Sequence, residues 1–306
     1  MTPDDTPRDE TTHDKTTHDE LFTRHRGLLF GIAYEITGSV ADSEDILQDS
    51  YLRWAEVELD EVANPRAYLS RVVTRQALNS LRTAQRRRED YVGPWLPEPV
   101  RTAPDAAEDV LLAESVSMAM MLVLETLGPL ERAVFVLREV FGFDHAQIAA
   151  AVGRQEATVR QIAHRARSHV QARRRRYAAS DEQARRVVTE LLSAAAGGDV
   201  EALMAVLAPD VVYVADGGGK VTAARVPVSG ARKVARVLSG LSRRPLPDMR
   251  VEFAAFNGLP ALAVYSGERL DLVMLIEMDA GLVTGLYVVR NPDKLGAADR
   301  VMPLVR

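Results

Sequence analysis

The chain of 306 residues contains no cysteine, which excludes disulfides and thiolate metal sites, zinc fingers among them, and suits a reducing compartment. No stretch approaches the ~20 apolar residues of a membrane-spanning helix. The opening residues, MTPDDTPRDETTHDKTTHDE, lack the basic start and apolar core of a signal peptide and read as a disordered acidic tail over 1–19. Histidine is missing from 178–306 altogether. These absences point to a cytoplasmic protein with no membrane contact. What is present is an ordinary globular balance, 47% apolar and 26% charged, in a length sufficient for two or three domains with cores of their own.

The net charge of -5 conceals an uneven distribution. Formal charges come to -11 over residues 1–63, +5 over 64–90, -6 over 91–152, +7 over 153–177 and zero over 178–306. Two basic islands in an acidic background are what a protein gripping a polyanion at two points would show. Solvated helix faces would give the same count, so charge alone leaves both readings open.

The second island resolves into a helix-turn-helix. Asp144 is placed to cap a helix carrying Ile148, Ala149 and Val152, Gly153 supplies the turn, and another helix starts near Gln155. On that helix Val159, Ile162, Ala163, Ala166 and Val170 form one apolar stripe, and Arg160, Gln161, His164 and Arg165 face the other way. Arginine and glutamine have the bidentate geometry that matches guanine and adenine edges in the major groove. His164 fits a reading position and equally a hydrogen-bonded surface residue. Arg173 to Arg176 would lie near phosphates.

Upstream, ADSEDILQDSYLRWAEV (41–57) is an amphipathic helix with Asp45, Gln48 and Asp49 on its exposed side. The first basic island, NPRAYLSRVVTRQALNSLR (64–82), starts with Pro65 in a first helical turn and sets Arg71, Arg75 and Arg82 opposite Leu69, Val72 and Val73. Between the islands, EDYVGPWLPEPVRTAPDAAED (89–109) has four prolines and a glycine, which forbid a continuous helix and favour an extended tether. That composition predicts two separate helical bodies, with Trp95 docking somewhere.

In order and spacing these segments resemble the extracytoplasmic-function (ECF) sigma factors of the sigma-70 family. The resemblance implies region 2 over 20–90, a linker over 91–109 and region 4 over 110–178, with core RNA polymerase and promoter DNA as partners. It makes Asp45, Gln48 and Asp49 polymerase contacts, and Asn79 with Arg71, Arg75 and Arg82 the −10 candidates. Arg160, Gln161, His164 and Arg165 become the −35 readers. Position 162, basic in many relatives, is Ile162 here, which implies a weakened phosphate contact. Acidic surfaces toward the polymerase and basic ones toward DNA would orient one protein between two partners.

Residues 179–306 extend beyond region 4. Helices near 181–196, 199–208 and 231–241, a strand DVVYVAD and three later apolar strands with turns at Asn257-Gly258 and Asp279–Gly281 predict helices followed by an antiparallel sheet, an α+β cone. GDVEALMAVLAPDVVYVADGGGK resembles SnoaL-like members of the NTF2-like superfamily. WLPEP, DGGGK and NPDKL resemble motifs of the sigma-factor branch carrying such a domain. The fold class is therefore two all-α domains followed by an α+β cone.

DGGGK is no phosphate loop, since Val214 and Val221 stand where a P-loop needs glycine and a hydroxyl. Gly217, Gly218 and Gly219 would let backbone approach another surface, with Asp216 and Lys220 pairing to charges there; a plain hairpin turn is the alternative. Asn291, Pro292, Asp293, Lys294 and Leu295 join Trp95 and DGGGK as interdomain regulatory candidates. Tyr213, Asp216, Tyr265 and Asp271 are the acid–base groups left to a cone without histidine, too few to imply an enzyme, and no cofactor is expected. Whether the cone takes a small ligand stays open.

Overall fold

A computed structural model describes residues 17–88, 90–102, 117–172, 181–243 and 247–298. The tail up to residue 16, linker residues 103–109 and Arg173 to Arg176 lie outside them.

Helix α1 (His18–Thr37) starts at Thr17, whose hydroxyl accepts the Glu20 amide while the Glu20 carboxylate accepts the Thr17 amide. Ser39 caps α2 (Val40–Ala55). In α3 (Pro65–Arg88) the Asn64 side chain accepts the Ala67 amide at 3.0 Å, and Pro65 occupies a position where no amide is needed. The three close over Leu29, Ile32, Trp54, Leu69 and Val73, all fully buried.

Beyond the linker come α4 (Met118–Glu125), α5 (Pro129–Phe135) with a π-helical turn at Val136–Val140, α6 (His145–Val152) and α7 (Glu156–Gln171). The α6–α7 pair is the expected helix-turn-helix. Asp144 and Gln147 form a reciprocal cap, Gly153 turns the chain at φ 67°, and the stripe from Val159 to Val170 is buried.

The two helical groups are not separate bodies. Phe135, Ile148 and Val159 belong to the same continuous core as Leu29 and Trp54. Polar ties reinforce it: Arg75 donates to the carbonyls of Ala151 (3.1 Å) and Ala150 (3.0 Å), and buried Arg132 donates from Nε to the Glu35 carbonyl at 2.8 Å. Prolines keep a linker from being helical, but an extended linker folds its ends together as readily as it holds them apart.

The C-terminal part consists of α8 (Asp181–Gly197), α9 (Val200–Val206), β1 (Leu207–Asp216), β2 (Val228–Ser229), α10 (Ala231–Ser242), β3 (Met249–Phe256), β4 (Leu259–Ser266), β5 (Arg269–Asp279) and β6 (Leu282–Val289). The sheet order is β2-β1-β6-β5-β4-β3. Four strands follow α10 where the sequence suggested three, because the turn at Gly267 (φ 60°) has no Asn-Gly signature to announce it. The sheet is also mixed: β1 runs parallel to β6, the long excursion through α10 and β3 to β5 serving as the crossover. Helices α8 to α10 cover one sheet face. The other face, with Phe256, Ala261, Val273, Tyr287 and Val289, packs on Leu96 of the linker and Met118 of α4.

Candidate nucleic-acid interface and linker latch

The linker crosses the molecule in two grips, with residues 96–100 buried. The first grip centres on Asp216, the last residue of β1, which has no exposed surface. Its Oδ1 accepts the Tyr91 hydroxyl at 2.6 Å and the Gly218 amide at 3.0 Å; its Oδ2 accepts the Leu96 amide at 2.9 Å and Lys294 Nζ at 2.7 Å. Lys294 Nζ donates also to the Leu96 carbonyl at 2.6 Å and lies 4.1 Å from the Trp95 ring centroid and 4.9 Å from that of Tyr91. Burial, and then the hydrogen bond to Asp216, push the Tyr91 hydroxyl well above its usual pKa, so it stays a donor.

DGGGK and NPDKL thus meet at the linker. Asn291 donates from Nδ2 to the Tyr91 hydroxyl at 2.8 Å, Pro292 opens the short helical turn that presents Lys294, and Leu295 joins the apolar cluster around Leu96. A side chain at Gly218 would meet Asn291 at 2.3 Å, and one at Gly219 (φ 72°) would meet Val92 at 3.1 Å. One at Gly217 would strike the Val221 carbonyl at 2.5 Å. Two expectations change. Asp216 finds its cation, Lys294, within its own domain while reaching the linker through neutral donors. Lys220 pairs with Asp293, also in its own domain, at 2.7 Å and well exposed.

The second grip gives WLPEP and the Asn257 turn contacts that the sequence did not assign to them. Glu98 of WLPEP accepts from the Ser39 hydroxyl (2.7 Å) and the Val40 (2.9 Å) and Ala41 (3.3 Å) amides at the start of α2, where amides lack intrahelical partners. Burial raises its pKa against the opposing pull of those hydrogen bonds. The Tyr34 hydroxyl donates to the Glu98 carbonyl at 2.7 Å and accepts Asn257 Nδ2 at 2.6 Å. Asn257, in the β3–β4 turn, also exchanges two bonds with the Val100 backbone, at 2.9 and 2.8 Å. Arg101 forms an ion pair with Glu252. One turn residue therefore ties α1, linker and sheet together.

The basic helices present themselves differently. On α7, Arg160, Gln161, His164 and Arg165 are all exposed; Arg160 pairs with Glu156 and Arg165 lies 4.0 Å from Glu131. Ile162 is 4% exposed and part of the core, so a hydrophobic residue there removes no phosphate contact. On α3, Asn79 and Arg82 are exposed, with Arg82 donating to Asn79 at 3.4 Å. Arg75 is engaged by the C-terminal carbonyls of α6, and Arg71 is half-buried over Tyr68. A cavity of about 650 Å³ opens beside the contact between α3 and α6, lined also by the 56–64 segment, with Arg71, Phe143 and Gln147 in its walls. Asp45, Gln48 and Asp49 are exposed on α2.

Residues 21–87 match the family described as Sigma-70 region 2, and residues 117–170 that described as Sigma-70, region 4. The chain is 38% identical over 287 residues to the ECF RNA polymerase sigma factor SigJ of Mycobacterium tuberculosis (strain ATCC 25618 / H37Rv), spanning 89% of this chain and 91% of that relative. The chain belongs to the ECF RNA polymerase sigma factors. A crystal structure of the Mycobacterium tuberculosis extracytoplasmic function sigma factor SigJ superposes with a TM-score of 0.70 at 34% identity, covering 91% of this chain and 98% of that one. A second relative from the same species, "Probable ECF RNA polymerase sigma factor SigI" (strain CDC 1551 / Oshkosh), is 30% identical over 89% of this chain and 92% of its own length. This ECF sigma factor accordingly serves promoter recognition by RNA polymerase. Its C-terminal α+β body is the SnoaL-like domain the sequence suggested. Among the described residues no helix is long and apolar enough to cross a membrane, and no cluster of histidine and carboxylates is arranged to hold a metal ion.

Proposed function

We propose that the SnoaL-like domain sets the activity of this sigma factor by latching the linker between regions 2 and 4. The observation that carries this reading is the convergence of Tyr91, Leu96 and Lys294 on the buried Asp216 carboxylate. A linker held at Tyr91 to Thr102 keeps α6 against α3, with Arg75 committed to the carbonyls of Ala150 and Ala151. Freeing α3 for −10 DNA and letting α7 reach a −35 element on the same duplex then requires the helical groups to part. The domain changes promoter output to the extent that it binds the closed and polymerase-bound arrangements unequally.

In this reading Arg160, Gln161, His164 and Arg165 read the −35 element, Arg71, Arg75, Asn79 and Arg82 contact −10 DNA, and Asp45, Gln48 and Asp49 meet core polymerase in the cytoplasm. Domains fall at 20–90, 91–109, 110–178 and 179–306, after an acidic tail. The C-terminal domain works by contact rather than catalysis: Asp216 is occupied by four donors, and Tyr265 lies in the sheet-face cluster toward the linker.

The test is transcription reconstituted with core polymerase, comparing the full chain with Asp216→Asn and Lys294→Met. Opening the latch changes promoter output in the same direction in both variants. Output equal to that of the unmodified chain would refute the latch. Alanine at Gln161 or Arg165 weakens binding to the preferred −35 sequence by ~1–3 kcal/mol, measured on matched and scrambled promoters.

A further inference from the structure

Strand β3 ends the sheet order, so one of its long sides has no neighbouring strand. The linker takes one end of that side, where the Thr102 amide donates to the Ala255 carbonyl at 3.0 Å. In an antiparallel ladder the backbone groups of alternate residues point to the same side, and β3 pairs with β4 without a register break. The amides and carbonyls of Met249, Val251 and Phe253 therefore point outward, as those of Ala255 do. A linker continuing along β3 would bring Pro104 to the Phe253 carbonyl, and proline has no amide to give. The edge from Met249 to Phe253 is left to a strand from elsewhere.

Its side chains suit a particular one. Edge strands are ordinarily blunted by charge or proline, yet Met249, Val251 and Phe253, on one face of β3, are 50%, 41% and 36% exposed. Leu192 of α8 and Leu241 of α10, exposed as well, adjoin Met249 and Val251. On the opposite face the edge carries one base and one acid two residues apart, with Arg250 Nη1 3.3 Å from Glu252 Oε2. That spacing makes the strand complementary to itself. Paired antiparallel with its own copy about Val251, β3 sets Arg250 against the copy's Glu252, Glu252 against its Arg250, and Met249 against its Phe253. Both charge pairs fall at non-hydrogen-bonded sites, where facing side chains come closest. Moving the centre by one residue either way would oppose arginine to arginine or glutamate to glutamate, so charge fixes the register.

We propose that β3 is a homodimerisation edge, joining the C-terminal domains of two copies into one continuous sheet about a two-fold axis at Val251. The sheet face that packs on Leu96 and Met118 takes no part in it. The pairing stops short of Ala255, so the linker keeps its bond there and the proposal stands independently of the latch. A contact confined to 249–253 and its flanking leucines is small, which puts association in the micromolar range.

Sedimentation equilibrium of the full chain, from low to high micromolar concentration, gives a reversible monomer–dimer equilibrium. Arg250→Glu and Glu252→Arg each oppose like charges across the axis, and each alone weakens association about tenfold. Their equimolar mixture restores it, because in the mixed pair every acid again faces a base; damage to the fold would show no such rescue. The chain has no cysteine, so Val251→Cys places a single thiol per copy on the axis, and a mild oxidant cross-links that variant into a dimer.

A chain that stays monomeric over the whole range overturns the proposal, and slow deuterium exchange at the Val251 and Phe253 amides of that monomer assigns the edge to the chain's own linker instead. A dimer undiminished by Arg250→Glu, or growth beyond the dimer, overturns the surface, because a two-fold pairing uses the edge up.

Discussion

Two ion pairs join the same two motifs of the C-terminal domain, and they are not equivalent. Lys294 and Asp216 meet at 2.7 Å with side chains 8% and 0% exposed, and both also bond the linker. Lys220 and Asp293 meet at 2.5 Å with side chains 53% and 62% exposed, and bond each other. An exposed pair gains little over hydration, whereas a buried one must satisfy every donor and acceptor it takes out of water. The linker backbone and the Tyr91 hydroxyl complete the satisfaction of the inner pair. A polar centre whose partners come from two segments makes their attachment conditional on each other.

That contrast orders the expected effects of substitution. Asp216→Leu, which leaves the Lys294 ammonium buried and uncompensated, costs ~3–5 kcal/mol in urea unfolding. Adding Lys294→Met recovers a substantial part of that loss, a departure from additivity that a double-mutant cycle reads directly. Tyr91→Phe removes one hydrogen bond to Asp216 and one from Asn291 and costs ~1–3 kcal/mol in the same measurement. Lys220→Ala stays within about 0.5 kcal/mol; a loss as large as that of Asp216→Leu would erase the distinction between the two pairs.

The smallest effect concerns Glu98 in the other grip. Its pKa is raised above 4.5 in the folded chain, chiefly by burial. The folded state therefore holds the proton more tightly, so this group's contribution is complete below pH 4.5 and is lost as pH rises through the folded value. The stability difference between the unmodified chain and Glu98→Gln accordingly drifts in favour of Glu98 as acid is added, readable as urea midpoints across that window.

Local chemistry made much of the fold legible. Asp144, Gln147 and Gly153 announce the helix-turn-helix through capping rules that act within a few residues, and the buried stripe of α7 follows from its period. DGGGK and NPDKL stood out as motifs, but that Lys294 and not Lys220 is the partner of Asp216 depends on the parallel pairing of β1 with β6, which no local pattern encodes. Asn257 read as a hairpin residue, and it is one; its further bonds to Tyr34 and Val100 span 223 and 157 positions. Glu98 lay inside the WLPEP motif with no role assigned to it, because its role at the start of α2 exists only after the linker has folded back.

The sheet face that carries Phe256, Ala261, Val273 and Val289 has Leu96 and Met118 as its cover. A linker that peeled away, as the proposed latch requires for activation, would uncover that face and leave an oily plate exposed unless something else shielded it. On the latch reading proposed above, release of this sigma factor would be an exchange of covers, and the apolar plate itself would favour return to the closed form whenever no replacement is at hand.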